Sequence, residues 1–312
     1  MFQPEAMTAA PATPPASLPE PTVKRTHRPP SLASSLGRAF EVLELFSLGR
    51  PVLRVEALAQ ALGYTRSTAY RYVRELCDAG LLAPSSAGTY VLGPRIIELE
   101  RLLRLTDPLY LAGRQVLPAL HREDSVLLLQ SLYGDKVLCI YSEGPQTLEH
   151  RGRRLVVRRT RGLPFPLFRG AASLALLAGM PGDRIREVYL RNAQEIAARG
   201  LGADWETFRT MLMAIRRKGW ATSGGQLGPH IFGIAVPIAT AGERRVIGSP
   251  ARVFPREPGQ AYDGAREASD AAELQAIARS ISAAHALAAS STPVDPLQPT
   301  APSRPATGKE SS

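Results

Sequence analysis

Leu62-Gly63-Tyr64-Thr65-Arg66-Ser67-Thr68-Ala69-Tyr70-Arg71-Tyr72-Val73-Arg74-Glu75-Leu76 is the stretch on which the reading of this chain turns. Gly63 stands where a helix carboxy terminus wants a residue tolerant of the left-handed region. Tyr64 completes a tight turn, and Thr65 is a good N-cap for a helix running from Arg66 to Ala79. At about 100° per residue, Ala69, Tyr72, Val73 and Leu76 share an arc of about 100° that can pack on other helices. Arg66, Ser67, Tyr70, Arg71 and Arg74 fall together on the opposite side. That outward arc carries guanidiniums, a hydroxyl and a phenol, and no acid.

Upstream, Leu36, Ala39, Phe40, Leu43 and Phe46 recur at helical spacing, with Ser34 or Ser35 as N-cap and Gly49 and Pro51 as terminators. A second short helix carries Val55, Leu58, Ala59 and Leu62 on one face. Downstream, Leu81-Leu82 and Thr89-Tyr90-Val91-Leu92 flank the turn Pro84-Ser85-Ser86-Ala87-Gly88, which predicts a β-hairpin. Gly93-Pro94 closes the segment, and Ile96, Ile97, Leu99, Leu102 and Leu103 mark a linker helix over 95–105. A short helix, a glycine turn and a capped, donor-rich helix make a helix-turn-helix, whose second helix enters the major groove amino end first. The hairpin behind it reads as a wing. The bland alternative is a solvated face on any three-helix domain; cap, turn, segregated face and wing occurring together weigh against it.

Residues 35–105 resemble the winged helix-turn-helix of IclR-type transcriptional regulators. The resemblance rests on Ser35-Leu36-Gly37-Arg38-Ala39, Leu43-Glu44-Leu45-Phe46, Leu58-Ala59, Leu62-Gly63, Ser67-Thr68-Ala69-Tyr70-Arg71, Gly80-Leu81-Leu82 and Tyr90-Val91-Leu92-Gly93-Pro94-Arg95. It implies DNA contact by Ser67, Thr68 and Arg71 at the start of the recognition helix, and by Arg38 on the backbone. Chemistry gives roles to the neighbours. Arg66, Arg71 and Arg74 can each pair with phosphate or with guanine O6 and N7. Thr65, Ser67 and Thr68 can hold phosphate at the helix amino terminus. Tyr70 can pack on a sugar or thymine methyl, and the wing around Gly88 and Tyr90 can touch the backbone.

From 108 onward the pattern changes. A helix through Leu109, Ala112, Val116, Leu117 and Leu120 precedes a hairpin of 126–129 and 137–140. Helices are predicted at 171–179, 183–192 and 204–218, and a buried strand at 231–238. A last helix, 265–288, puts Leu274, Ile277, Ile281 and Leu287 on one face. The whole is α+β: an all-α winged helix-turn-helix (35–93) with a hairpin wing, a linker helix (94–107) and an α+β domain (108–289) between disordered tails, 1–34 and 290–312. The resemblance continues through Pro166-Leu167-Phe168 to Ala178, Ile215 to Ala221, Gln226-Leu227 and Gly233-Ile234-Ala235-Val236-Pro237. It implies a GAF-like domain that binds a small effector, often an organic or aromatic acid, in a homodimer or homotetramer on a palindromic double-stranded DNA operator. Candidate effector residues are Phe168, Arg169, Gly170, Ala171, Ser173, Ile231, Gly233 and Ile234, with Arg169 and the helix amino terminus near 170 holding an anion; the bland reading is core packing. Departures from the family pattern point to an altered pocket. They are Ser173-Leu174, Phe168 and Gly170, Gln226, His230, and a strand at Val246-Ile247-Gly248-Ser249-Pro250 that reads as several residues shorter than the family's, with a Pro250 that cannot donate to a ladder.

Composition bounds the rest. The 312 residues are 44% hydrophobic with a net charge of +10, and the chain is long enough for two domains. The basic excess lies mostly in 126–170 rather than in the helix-turn-helix, so net charge alone does not place a nucleic-acid surface. His150 to Arg161 reads as a solvated, charge-protected edge strand, against a second polyanion contact as the sharper alternative. Two cysteines exclude a disulfide scaffold, and no Cys/His cluster has zinc spacing. His121 with Glu123 and Asp124 reads as a solvated helix end, not a metal site. No apolar run approaches the ~20 residues of a membrane span, and no signal peptide is evident, so the expectation is a cytoplasmic chain with no membrane partner. No nucleophile elbow or Walker loop is present, so neither an enzyme nor a cofactor is expected. The competing reading is a small-molecule-binding or enzymatic α+β domain whose helical front end only mediates protein association.

Overall fold

A computed structural model describes residues 34–157, 161–225, 229–240 and 245–290. The two terminal tails, Gln226-Leu227 and part of the basic run (158–160) lie outside those residues. The chain divides into two compact units, Met1–Ile96 and Ile97–Ser312.

In the first unit, α1 (Ser35–Leu43), α2 (Val55–Leu62) and α3 (Arg66–Asp78) pack around Val42, Leu58, Ala69, Tyr72, Val73 and Leu76, all buried. Ser34 is the cap of α1, accepting from the Gly37 amide at 3.0 Å. Two expectations for α1 need correction. The helix stops at Leu43, well before Gly49, and Leu36 and Phe40 are exposed while Ala39 and Val42 are buried. Ala39 and Val42 occupy the face turned to the core, so Leu36 and Phe40 lie outside it. The wing is a three-stranded sheet: β1 (Leu53–Arg54), which sequence periodicity did not reveal, pairs with β3 (Thr89–Leu92), which pairs with β2 (Leu82–Pro84). Gly93 is obligatory at the foot of the wing, because a Cβ there would lie 2.1 Å from the Gly80 carbonyl oxygen.

The second unit begins within α4 (Arg95–Thr106), which has no buried residue. After α5 (Pro108–Val116), β4 (Val126–Tyr133) and β5 (Lys136–Glu143) form the expected hairpin. A separate hairpin of β6 (Thr147–His150) and β7 (Arg153–Val156) carries the exposed basic residues 151, 153 and 154, so this run is not an edge of the main sheet. Next come β8 (Pro164–Pro166), α6 (Ala171–Gly179), α7 (Gly182–Ala198), α8 (Trp205–Lys218) and β9 (Ala221–Gly224). The chain ends on β10 (Ile231–Ala235), β11 (Ile238–Ala239), β12 (Val246–Pro255) and α9 (Gly264–Ser290). The antiparallel sheet runs β8-β5-β4-β12-β10-β9, with β11 on β12. One face packs on α6, α7 and α8, the other on α5 and α9. Burial on both faces explains the near-continuous apolar runs of these strands.

Three further expectations are corrected. The segment at Val246 is not short: β12 is ten residues long and central, because its pairing with β4 and β10 runs on to Val253 and Pro255. Pro250 is tolerated where β10 has ended and β11 has not begun, and its carbonyl accepts from the Val236 amide at 3.2 Å. The strand expected over 231–238 breaks at Val236-Pro237. Leu287 is exposed, unlike Leu274, Ile277 and Ile281, because α9 outruns the sheet it covers.

A charged network ties α9 to that sheet. Arg252, 2% exposed in the middle of β12, donates Nη2 to Glu273 Oε1 at 2.9 Å. Glu273 Oε2 accepts from Arg122 at 2.6 Å, Arg122 lies 3.6 Å from Asp270, and Asp270 accepts from the Tyr262 hydroxyl at 2.6 Å. Burial, and then the Asp270 carboxylate, push the Tyr262 phenol up. Removing one partner of such a pair strands a buried charge, whereas replacing both is close to neutral. Glu273→Leu is therefore expected to cost the second unit about 3 kcal/mol in urea denaturation, and adding Arg252→Met to recover most of that loss.

Candidate nucleic-acid interface

Helix α3 is set by local chemistry at its start. Gly63 takes φ +69°. Thr65 Oγ1 accepts from the Thr68 amide at 3.2 Å and lies 2.8 Å from Thr68 Oγ1 and 3.1 Å from Ser67 Oγ. Tyr64 donates its hydroxyl to the buried Glu41 of α1, and its ring lies 5.7 Å from that of Tyr72. With Ala69, Tyr72, Val73 and Leu76 buried, Arg66, Ser67, Tyr70, Arg71 and Arg74 are held on the exposed side, and Thr68 is half-buried at its edge.

The arginines are not equivalent. Arg66 pairs with Glu56 of α2 at 2.9 Å and lies 5.5 Å from the Tyr70 ring centroid. Arg74 lies 3.9 Å from Asp78. Both are exposed surface pairs, worth about 1 kcal/mol or less, so a phosphate can displace either carboxylate. Arg71 meets no carboxylate among the described residues; its Nη2 donates to the Tyr72 hydroxyl at 3.3 Å. The Ser35 hydroxyl and the guanidiniums of Arg71 and Arg38 hold that phenol below its ordinary range, against burial, which pushes it up. Tyr72 thus joins the core of the first unit to the guanidinium of Arg71, whose Nη2 it accepts from.

At the wing, Gly88 is exposed at φ +70° at the tip. Tyr90 is half-buried, opposite Leu53 and Pro84, and packs on the core of the first unit. Sequence reasoning missed Glu56 and the polar role of Tyr72. A tyrosine in an otherwise aliphatic buried arc was the available signal, since a buried phenol needs a partner.

The candidate effector residues do not form an open site. Phe168, Gly170, Ala171, Ser173, Gly233 and Ile234 are buried, and Arg169 and Ile231 half-buried. Ala171 and Gly233 meet, but the gap they line with Gln130, Ser223, Ala251 and Val253 is only about 10 Å³, at the lower limit for a single water. Ile234 faces the opposite core, with α5 and α9. Burial and the Arg199 cation push the Arg169 guanidinium down, against Glu195, which raises it. His121 lies 3.1 Å from Glu123 and 3.6 Å from Glu143. No cluster of His, Cys, Asp and Glu among the described residues is arranged to hold a metal ion, and no described helix is long and apolar enough to cross a membrane.

Residues 35–85 match the IclR helix-turn-helix domain model. The transcriptional regulator KipR of Bacillus subtilis is 26% identical over 209 residues, spanning 64% of this chain and 78% of KipR. A crystal structure described as an IclR transcriptional regulator from Silicibacter sp. TM1040 superposes with a TM-score of 0.66 at 25% identity, covering 81% of this chain and 96% of that one. An IclR homolog from Microbacterium hydrocarbonoxydans, solved in complex with 4-hydroxybenzoate, has a TM-score of 0.57 at 24% identity, covering 81% of this chain and all of its own.

Tyr72→Phe removes the oxygen that accepts from Arg71 and leaves the ring. Duplex binding measured by fluorescence anisotropy is expected to weaken severalfold, with a stability loss of about 1 kcal/mol.

Proposed function

We propose that this chain is an IclR-type DNA-binding transcriptional regulator whose α3 reads the major groove of a palindromic operator, with Arg71 as its principal base-reading side chain. The observation that carries this is that Arg71 is exposed on α3 and meets no carboxylate among the described residues, its guanidinium resting over the Tyr72 ring with one weak hydrogen bond to the Tyr72 hydroxyl. Arg38 of α1 meets the adjoining backbone. Arg66 and Arg74 exchange Glu56 and Asp78 for phosphates. Thr65, Ser67 and Thr68 offer hydroxyls and first-turn amides to another phosphate. Tyr70 packs on a sugar or thymine methyl, and the tip at Gly88 meets the backbone, with Tyr90 bracing it from the core.

A palindrome requires two copies, and α4 supports self-association: Ile97, Leu99, Leu102, Leu103 and Leu105 are all exposed along it. The working unit is thus a homodimer, or a homotetramer built from it, in the cytoplasm, with 35–93 binding DNA, 94–107 linking and 108–289 holding the effector. The α+β unit, with helices on both faces of one sheet, fits a GAF-like effector domain. An organic or aromatic acid is the favoured effector class, and 4-hydroxybenzoate in the Microbacterium homolog supports it. The effector acts by favouring one of two dimer geometries.

Arg71→Ala is expected to lower operator affinity about tenfold or more, with melting temperature unchanged, in gel-shift titrations at fixed salt; unaltered affinity rejects the assignment. Arg66→Ala is expected instead to weaken binding to all sequences alike and to reduce the slope of log affinity against log salt by about one.

A further inference from the structure

The hairpin of the wing brings no charge of its own. From Leu82 to Leu92 it contains no Asp, Glu, Lys, Arg or His. Its polar side chains around the tip are Ser85, Ser86 and Thr89, and the Thr89 hydroxyl already donates to the Ser86 carbonyl inside the turn. The Ser85 amide is likewise spent, donating to the Thr89 carbonyl at 2.8 Å. Such a tip can offer a duplex a few neutral hydrogen bonds and no cation. Attraction to the phosphate backbone is carried by cations that release condensed counterions, so this hairpin by itself adds almost nothing to it.

The third strand supplies what the hairpin lacks. In β1, Leu53 is buried in the core of the first unit, and Arg54, on the other side of the strand, is exposed. The register places Arg54 directly across from Thr89, the residue after the tip glycine Gly88. Side chains so paired on neighbouring strands are within reach of one another. The Arg54 backbone is fixed twice, by the ladder to β3 and as the residue on which α2 begins. Its guanidinium is not committed: it makes no capping hydrogen bond to α2 and meets no carboxylate among the described residues. Glu56, two residues further on, holds Arg66 at 2.9 Å and so joins the first turn of α2 to the first turn of α3. Arg54 therefore stands where the wing, α2 and the start of the arginine-bearing helix come together.

We infer that Arg54 is the cation of the wing: it binds a backbone phosphate of double-stranded DNA beside the tip at Gly88, and the hairpin positions that contact without contributing charge to it. This rests on the reading of α3 as a DNA-reading helix and adds a contact outside both α3 and the hairpin. A phosphate contact fixes the protein on the duplex and carries no sequence information. Arg54 thus strengthens binding to every duplex alike, in contrast to Arg71.

Fluorescence-anisotropy titrations of the full chain over a range of salt concentrations test it, on a random-sequence duplex pool and on the duplex that the protein enriches from that pool. Arg54→Ala is expected to weaken binding to both severalfold, to lower the slope of log affinity against log salt by about one, and to leave the ratio of the two affinities unchanged. Arg54→Gln, which keeps the length of the side chain, is expected to behave like Arg54→Ala, and Arg54→Lys to retain the wild-type slope. Melting temperatures should not move, because the side chain is exposed and unpaired among the described residues. Arg209→Ala removes the same charge from an exposed position of α8 in the second unit and is expected to leave the slope unchanged. The Arg54 contact is overturned if the slope of Arg54→Ala and Arg54→Gln stays at the wild-type value, if the affinity ratio falls, or if Arg209→Ala lowers the slope as much. Wild-type protein that binds no duplex, or binds without salt dependence, defeats the regulator reading and the contact with it. Salt-dependent wild-type binding that Arg71→Ala weakens, together with a wild-type slope for Arg54→Ala, defeats the Arg54 contact alone.

Discussion

The burial of one narrow arc of α3 is the constraint on which its arginine-bearing surface depends. Ala69, Tyr72, Val73 and Leu76 are each less than 5% exposed, and a helix with one face locked in a core has no rotational freedom left for the other. The arginines are therefore oriented by apolar side chains that never meet solvent. The left-handed Gly63 and the Thr65 cap set where that helix begins, and so which residues occupy its first turn. Tyr72 joins the two tasks: its ring belongs to the core, and its oxygen accepts from the guanidinium of Arg71.

The second unit solves a different problem. Its sheet is covered on both faces, and helix α6 is buried from Ala171 to Ala178, which leaves almost no space among the residues that the sequence reading offered for an effector. At the end of α8, Lys218 and the following Trp220 both donate to Glu267 of α9. Opposite them, Arg252 carries a full charge into the centre of the sheet and is tolerated because Glu273 of α9 meets it there. Acidic residues of α9 thus hold cations from β12, from α8 and from the loop before β4, which makes the placement of that helix an electrostatic matter as much as an apolar one.

Legibility in the sequence followed the range of the interactions. The turn at Gly63, the Thr65 cap and the two faces of α3 depend on residues a few positions apart, and periodicity disclosed them. Helix α1 was misjudged because Ala39 and Val42, rather than Leu36 and Phe40, occupy the face turned to the core, a choice set by the partner surface. Strand β1 has two residues and exists only through its pairing with β3. The length of β12 was hidden for the same reason: Pro250 looks like a terminator until its neighbours are known to diverge there. Whether the residues around Gly170 enclose a space is a question of side-chain volumes brought from four strands and a helix, which no local pattern encodes. Arg252 gave no warning in an otherwise apolar strand.

The carboxylates beside Arg66 and Arg74 carry a kinetic meaning. If α3 meets DNA as proposed, Glu56 and Asp78 are resident decoys for the phosphate backbone, and two of the three cations on α3 begin each encounter already paired. An arbitrary stretch of chromosome must outbid them with charge alone, and the grip it obtains is shallow. The protein can then let go quickly and sample new positions, and long residence is reserved for the sites where base edges add to the attraction.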